Sequence, residues 1–303
     1  MPDIPHQKII AIVGPTSSGK TSLSITLAKK YNGAVVSADS RQVYRGMDIG
    51  TGKVTKREMR GVPHYLLDVA SPKRTFSAAT YRQKARKAVG AIARSGKLPI
   101  ICGGTGFYVD ALLSRTFLPD VKPNPTLRKK WDAMETKDLF AMLTQKDPRR
   151  AARIDPHNKR RLVRALEIIA TTGKPVPLAS SALETDYRIL FIGLRTNPEK
   201  LRRAIHDRLL ARLRHGMIAE VRRLHEKNGM SWQRLDDLGL EYRYVSRYLR
   251  GLLAKQEMIA ALEMEIQHYA KRQMTWFKRN SAIHWITDKK SADPLVEKFL
   301  AAK

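Results

Sequence analysis

The chain has 303 residues, 43% of them apolar, with 57 Lys and Arg against 28 Asp and Glu and a net charge of +29. Its single cysteine, Cys102, excludes an intrachain disulfide or a cysteine-based zinc cluster, and no apolar run approaches the ~20 residues of a membrane helix. The charge is spread, +13 over residues 1–115, +6 over 116–185 and +10 over 186–303, which predicts a broad surface for a polyanion such as a nucleic acid rather than a basic tail. The opening MPDIPHQK carries an acid and two prolines where a signal peptide needs an apolar segment, so a cytosolic protein with no membrane association is expected. KIIAIVG, Lys8 to Gly14, is a short Ile- and Val-rich run ending in glycine, the pattern of a buried parallel strand. It runs into Gly14, Pro15, Thr16, Ser17, Ser18, Gly19, Lys20 and Thr21, which fit G-x-x-x-x-G-K-[ST], a loop whose backbone N–H groups point at phosphate oxygens. Lys20 adds a point charge, and Thr21 adds a hydroxyl suited to a divalent ion. The helix opening there turns its positive end toward the anion. Leu23, Leu27 and Tyr31, four apart, give that helix one apolar stripe. Such a loop sees phosphates and not bases, so nucleotides and pyrophosphate esters both remain open.

GAVVSADS, Gly33 to Ser40, reads as a second strand that delivers Asp39 at its C-terminal end, the sheet edge where open α/β proteins hold ligands. Phe76 to Lys97 is helical, with Tyr81, Ala85, Val89 and Ile92 on one face and Gly96 as its stop. The strand LPIIC follows and ends in Cys102, read as packing, before a second glycine-rich turn, GGTGFY. That strand delivers no acid and no Asn-Lys-x-Asp motif occurs, which leaves Asp39 as the acid at the phosphate site. In a small-molecule kinase it would deprotonate a hydroxyl or help to hold magnesium. Prolines cluster in LPDVKPNPT, Leu118 to Thr126, and in TGKPVP, Thr172 to Pro177, and mark off a helical insertion. Its clearest element is Asn158 to Gly173, with Asn158 placed to cap. Winding it sets Leu162, Ala165, Leu166 and Ile169 on one side and Arg160, Arg161 and Arg164 outward on the other. Tyr187 to Leu194 returns to the sheet, and the remainder reads as helices. The longest are Glu199–Gly216 and Lys255–Arg279. The second ends in Lys271, Arg272, Trp276, Lys278 and Arg279, suited to a phosphate backbone, although Trp276 and Phe277 fall at core spacing. The expected fold class is α/β: a P-loop core with a parallel sheet flanked by helices, residues 1–115 and 186–303, and an inserted helical domain over 116–185.

In order along nearly the whole chain, GPTSSGKT, SADSRQVYRGMDIGTGKVT, VPHYLLDVASP, GGTGFY, RRLVRALEI and AKRQMTWFKR resemble the tRNA dimethylallyltransferases, also called tRNA isopentenyltransferases. The resemblance implies transfer of a dimethylallyl group from dimethylallyl diphosphate to N6 of the adenine next to the anticodon. The loop from Gly14 to Thr21 would then cradle the diphosphate of a prenyl donor, with Mg²⁺ on Thr21. It implies Asp39 as general base and Arg208 at the diphosphate. It maps Asp39, Ser40, Arg41, Gln42, Thr105, Arg128, Arg160, Arg161, Leu162, Val163 and Arg164 onto positions that contact the anticodon stem-loop, with the proline-marked borders as hinges. Two departures stand out. LGLEYRYV, Leu238 to Val245, replaces an Ile-Gly-Tyr-Arg/Lys block, and the eukaryotic C-terminal zinc finger is missing, which implies a bacterial type without zinc. A monomer is expected. The competing readings are a P-loop small-molecule kinase, an adenylate dimethylallyltransferase, and a basic RNA-binding module with a vestigial loop.

Overall fold

The computed structural model describes residues 7–113, 119, 121–177 and 187–302. Packing divides the chain into two compact units, Met1–Ser114 with Thr185–Lys303, and Arg115–Glu184. The first six residues and the borders expected at 115/116 and 185/186 lie outside the described residues.

In the first unit six strands, β1 (Gln7–Val13), β2 (Gly33–Ser37), β3 (His64–Tyr65), β4 (Leu98–Cys102), β5 (Tyr187–Leu194) and β6 (Ile283–Ile286), form one sheet in the order β3-β2-β4-β1-β5-β6. All pairings are parallel, with Ile10 of β1 opposite Ile100 of β4 and Leu190 of β5. A parallel sheet is covered on both faces, and the apolar run of β1 obeys that demand. Ile9, Ala11 and Val13 enter one core and Ile10 and Ile12 the other. The helix Lys20–Lys30 buries Leu23 and Leu27 as its stripe predicts. Helix Ala78–Arg94, capped by Ser77, buries Tyr81, Ala85, Val89 and Ile92. Pro198–Arg214 and Lys255–Phe277 are the other long helices of this unit.

The reading of everything after Leu194 as helix needs correction, because Ile283–Ile286 is the edge strand β6, paired with β5. At four residues, with His284 exposed, it is too short for alternation to show. The second unit is helical among the described residues. Pro125–Asp132, Thr136–Lys146, Pro148–Ala151 and Lys159–Thr172 pack around Trp131, Leu139, Leu143, Leu162 and Leu166. Asn158 caps the last of these through the Arg161 amide, and Gly173 ends it in the left-handed region at φ 66°.

Candidate active site

The C-terminal ends of β1, β2 and β4 release three loops onto one cavity of about 480 Å³ in the first unit. The chain leaves β1 toward β2, beyond β4, and leaves β4 toward β5, beyond β1, so these adjacent strands send their connections to opposite sides, the place where such sheets take ligands. Thr16, Ser17, Gly19, Lys20 and Thr21 of the first loop line it, with Ser37 and Asp39 from β2 and Cys102, Gly103 and Gly104 from β4. The Lys20 ammonium donates to the Pro15 carbonyl. Burial lowers it to about 8, opposed in part by Cys102 and Asp39 and reinforced by Arg208. The Cys102 thiol is raised by the same burial.

Asp39 follows β2, and its Oδ1 accepts the Arg41 and Gln42 amides at 2.8 and 3.3 Å, closing a local turn. Thr105 Oγ1 accepts the Ser40 amide at 3.0 Å, so the Asp39–Gln42 segment and Thr105 are brought to one wall. The Tyr269 phenol, bonded to Thr105 and raised to about 12 chiefly by burial, faces the same cavity. Arg208 closes another side, its Nη2 donating to the Gly52 carbonyl at 3.2 Å. Burial and then the neighbouring Arg212 lower it to about 10.

Gln273 was hidden inside AKRQMTWFKR among its more conspicuous cations. Its Oε1 accepts the Thr16 amide and its Nε2 donates to the Gly104 carbonyl, both at 2.8 Å, tying the phosphate loop to the second glycine-rich turn. A Cβ on Gly104 would overlap that Nε2, so a side chain there would have to displace the Gln273 amide. The signal was spacing, since Ile266, Ala270, Gln273 and Phe277 form one buried stripe in which a polar residue is out of place. Of the cations around it, Arg272 pairs with Glu265, and Arg279 stands 5.4 Å from the Trp276 ring, whose Nε1 donates to Asp110. Lys289 is a further surprise. After β6 it comes back to the phosphate loop, where a side chain on Gly19 would meet its Nζ at 2.9 Å.

The second unit corrects the outward arginine face. Arg160 and Arg161 are exposed, but Arg164 turns in to Glu167, with Nη2 on the Val121 carbonyl. Arg128 donates Nε and Nη2 to the same carboxylate, each at 2.8 Å. Leu162 packs in the core on the side where the winding sets it, and Val163 is buried beside it. The buried side of this helix is wider than the sequence stripe because Glu167 takes a place in it as an acceptor for those arginines.

No group of three or more His, Cys, Asp or Glu suited to a metal occurs among the described residues, nor does a helix long and apolar enough to cross a membrane. The family model for IPP transferase matches residues 42–280. The tRNA dimethylallyltransferase of Roseiflexus sp. (strain RS-1) is 42% identical over 275 residues, 89% of this chain and 90% of that protein. The crystal structure of the full-length tRNA isopentenylpyrophosphate transferase from Bacillus halodurans superposes with a TM-score of 0.72 at 37% identity, covering 97% of this chain and 96% of that one. A eukaryotic dimethylallyltransferase acting on tRNA gives a TM-score of 0.80 at 26% identity over 98% of this chain and 78% of its own. With the phosphate loop at the head of such a sheet and these matches over most of its length, the chain belongs to the IPP transferase family, that of the tRNA dimethylallyltransferases.

Proposed function

We propose that the protein transfers the dimethylallyl group of dimethylallyl diphosphate to N6 of the adenine beside the anticodon of a tRNA, releasing diphosphate. The observation that carries this reading is that Asp39 and the phosphate loop line one cavity. A proton acceptor and a cradle for the leaving group thereby stand on either side of a transferable carbon. The N6 lone pair attacks C1 of the donor, the C1–O bond breaks with its electrons leaving on diphosphate, and the N6 proton passes to Asp39. With Oδ1 engaged by two amides, Oδ2 is the oxygen without a hydrogen bond among the described residues. A positioned base contributes about 10²- to 10⁴-fold.

Lys20, Arg208 and the loop amides meet the charge that develops on the diphosphate. Thr21 lies exposed at the cavity, and among the described residues no group of three or more His, Cys, Asp or Glu suited to a metal occurs, so its hydroxyl would hold Mg²⁺ without a protein cage. When bound, the ion neutralises leaving-group charge. Ser40, Arg41, Gln42 and Thr105 would receive an adenine drawn out of its stack. Exposed Arg160 and Arg161, with Arg128 at 40% side-chain exposure, would contact phosphates of the anticodon arm. The same reading places the protein in the cytoplasm as a monomer.

The test is incubation with labelled dimethylallyl diphosphate and bulk tRNA beside an ATP hydrolysis assay. Label recovered in N6-substituted adenosine is the expected result. Consumption of ATP with no label in RNA would overturn the reading in favour of a kinase.

A further inference from the structure

We infer that Glu220 is a positioning residue for donor binding, holding the Asp48–Gly52 loop so that the Arg208 guanidinium is aimed into the cavity. The inference rests on the reading that Arg208 serves the diphosphate. Glu220 is 1% exposed and lies on the helix Met217–Glu226, in the stripe that buries Met217, Val221 and Leu224. A carboxylate in such a position needs full pairing. Its Oε2 accepts the amides of Asp48 and Ile49 at 2.8 and 2.7 Å. Its Oε1 accepts the Gly50 amide at 3.0 Å and the Tyr242 hydroxyl at 2.8 Å. Three successive N–H groups of one loop thus converge on a single buried anion.

The carbonyls of the same loop are held by cations. Gly50 O accepts Arg212 Nη1 at 3.1 Å and Gly52 O accepts Arg208 Nη2 at 3.2 Å. Arg212 is fixed in turn by Glu241 at 2.7 Å. Clearances are small on both sides: a Cβ on Gly50 would stand 2.8 Å from the Tyr242 ring, and one on Gly52 would overlap the Nη2 atoms of both Arg212 and Arg208. The loop therefore cannot slide without displacing Arg208, and its own place is set by Glu220. Two neighbouring guanidiniums repel each other, so without a fixed carbonyl the Arg208 side chain gains by swinging away. Tyr242 belongs to LGLEYRYV, which gives that departure from the family pattern a task in this chain.

Glu220→Gln keeps the volume but turns an NH₂ toward at least one loop amide, leaving two donors face to face. Loss of a hydrogen bond to a charged group corresponds to roughly a ten- to hundredfold rise in KM for dimethylallyl diphosphate. At saturating donor, kcat should stay within a few-fold, and tRNA affinity without donor should not move. Arg208→Ala should raise the same KM, and Glu220→Gln added to it should raise it by less than about threefold more, because the glutamate acts through the arginine. If Arg208→Ala leaves the donor KM alone, the reading of Arg208 fails and this inference with it. A rise in Arg208→Ala but not in Glu220→Gln overturns the inference alone. So does full additivity of the pair, or parallel loss of tRNA affinity, since either marks a merely structural carboxylate. Should Glu220→Gln not fold, Tyr242→Phe withdraws one bond from Oε1 and keeps the ring. It should raise the donor KM about two- to tenfold, again without additivity with Arg208→Ala, and no rise overturns the inference.

Discussion

Glu167→Gln should loosen the second unit without touching the catalytic cavity. Glu167 is fully buried, and its four hydrogen bonds come from the Asn124 amide at 2.7 Å, Arg128 Nε and Nη2 at 2.8 Å each, and Arg164 Nη1. Burial alone would raise the carboxyl. The Arg128, Asn124 and Arg164 bonds outweigh it and bring the group from the usual 4.5 down to about 2. That difference corresponds to about 3 kcal/mol at neutral pH. Glutamine keeps one acceptor oxygen but opposes an NH₂ to the remaining donors, and the arginines, 40% and 34% exposed, recover part of the loss from water. The expected destabilisation is about 2–3 kcal/mol. Hydrogen exchange of the full chain, read on peptides from 125–172, should show protection reduced roughly 30- to 100-fold while β1 peptides stay unchanged. A lowered carboxyl stabilises above its unfolded value and loses that contribution as pH falls toward its folded one. The gap between the two proteins should therefore hold from pH 8 to about 5 and close progressively below about 4.5. A change under about threefold at pH 7, or a gap that widens in acid, would refute this account of the cluster.

Asp39→Asn should leave donor and tRNA affinity nearly intact and remove about 10²- to 10⁴-fold from single-turnover prenyl transfer; a rate within a few-fold of the parent excludes it as the base. Lys20, lowered to about 8, loses its charge as pH rises through that value, and a neutral amine grips diphosphate less well. The donor KM should thus climb between pH 7 and 9 in the parent and stay flatter in Lys20→Arg, and a flat parent profile removes Lys20 from the diphosphate. Arg160→Ala with Arg161→Ala should make the log-affinity against log-salt slope for tRNA shallower by about 0.7–0.9 for each lost phosphate contact. The control is exposed Lys298, and a slope equal to that of Lys298→Ala makes this helix ordinary surface.

Motifs that carry chemistry in consecutive residues were legible without coordinates. The strand, loop and helix around Lys20, the Asp39 strand end and the Asn158 cap all depend on neighbours within one turn or one pleat. What stayed hidden was decided by partners far along the chain. Arg164 winds onto the same side as Arg160 and Arg161, yet Glu167 one turn on and Arg128 from another helix draw it inward, and no helical wheel shows that pull. Gln273 and Glu220 look like ordinary polar residues until the stripe they interrupt is counted. Even then their acceptors and donors, at Thr16, Gly104 and Asp48–Gly50, come from loops more than a hundred residues away. Edge strand β6 had too few residues to declare a period, and with it the approach of Lys289 to Gly19 was lost.

The strand order also sets a timetable for synthesis. β1 lies between β4, which leaves the ribosome before the inserted unit, and β5, which leaves after it. Until Tyr187–Leu194 emerges, the nascent sheet ends at β1, whose Ile- and Val-rich backbone then presents a row of unpaired donors and acceptors, the kind of border that recruits other chains. Helices with their own core form from local contacts quickly, so the inserted unit can be complete while the nucleus of the enzyme still waits for its other half. Messages cut short within the insertion would therefore yield a fragment that contains the whole phosphate loop, has an open sheet edge and belongs to the clientele of chaperones.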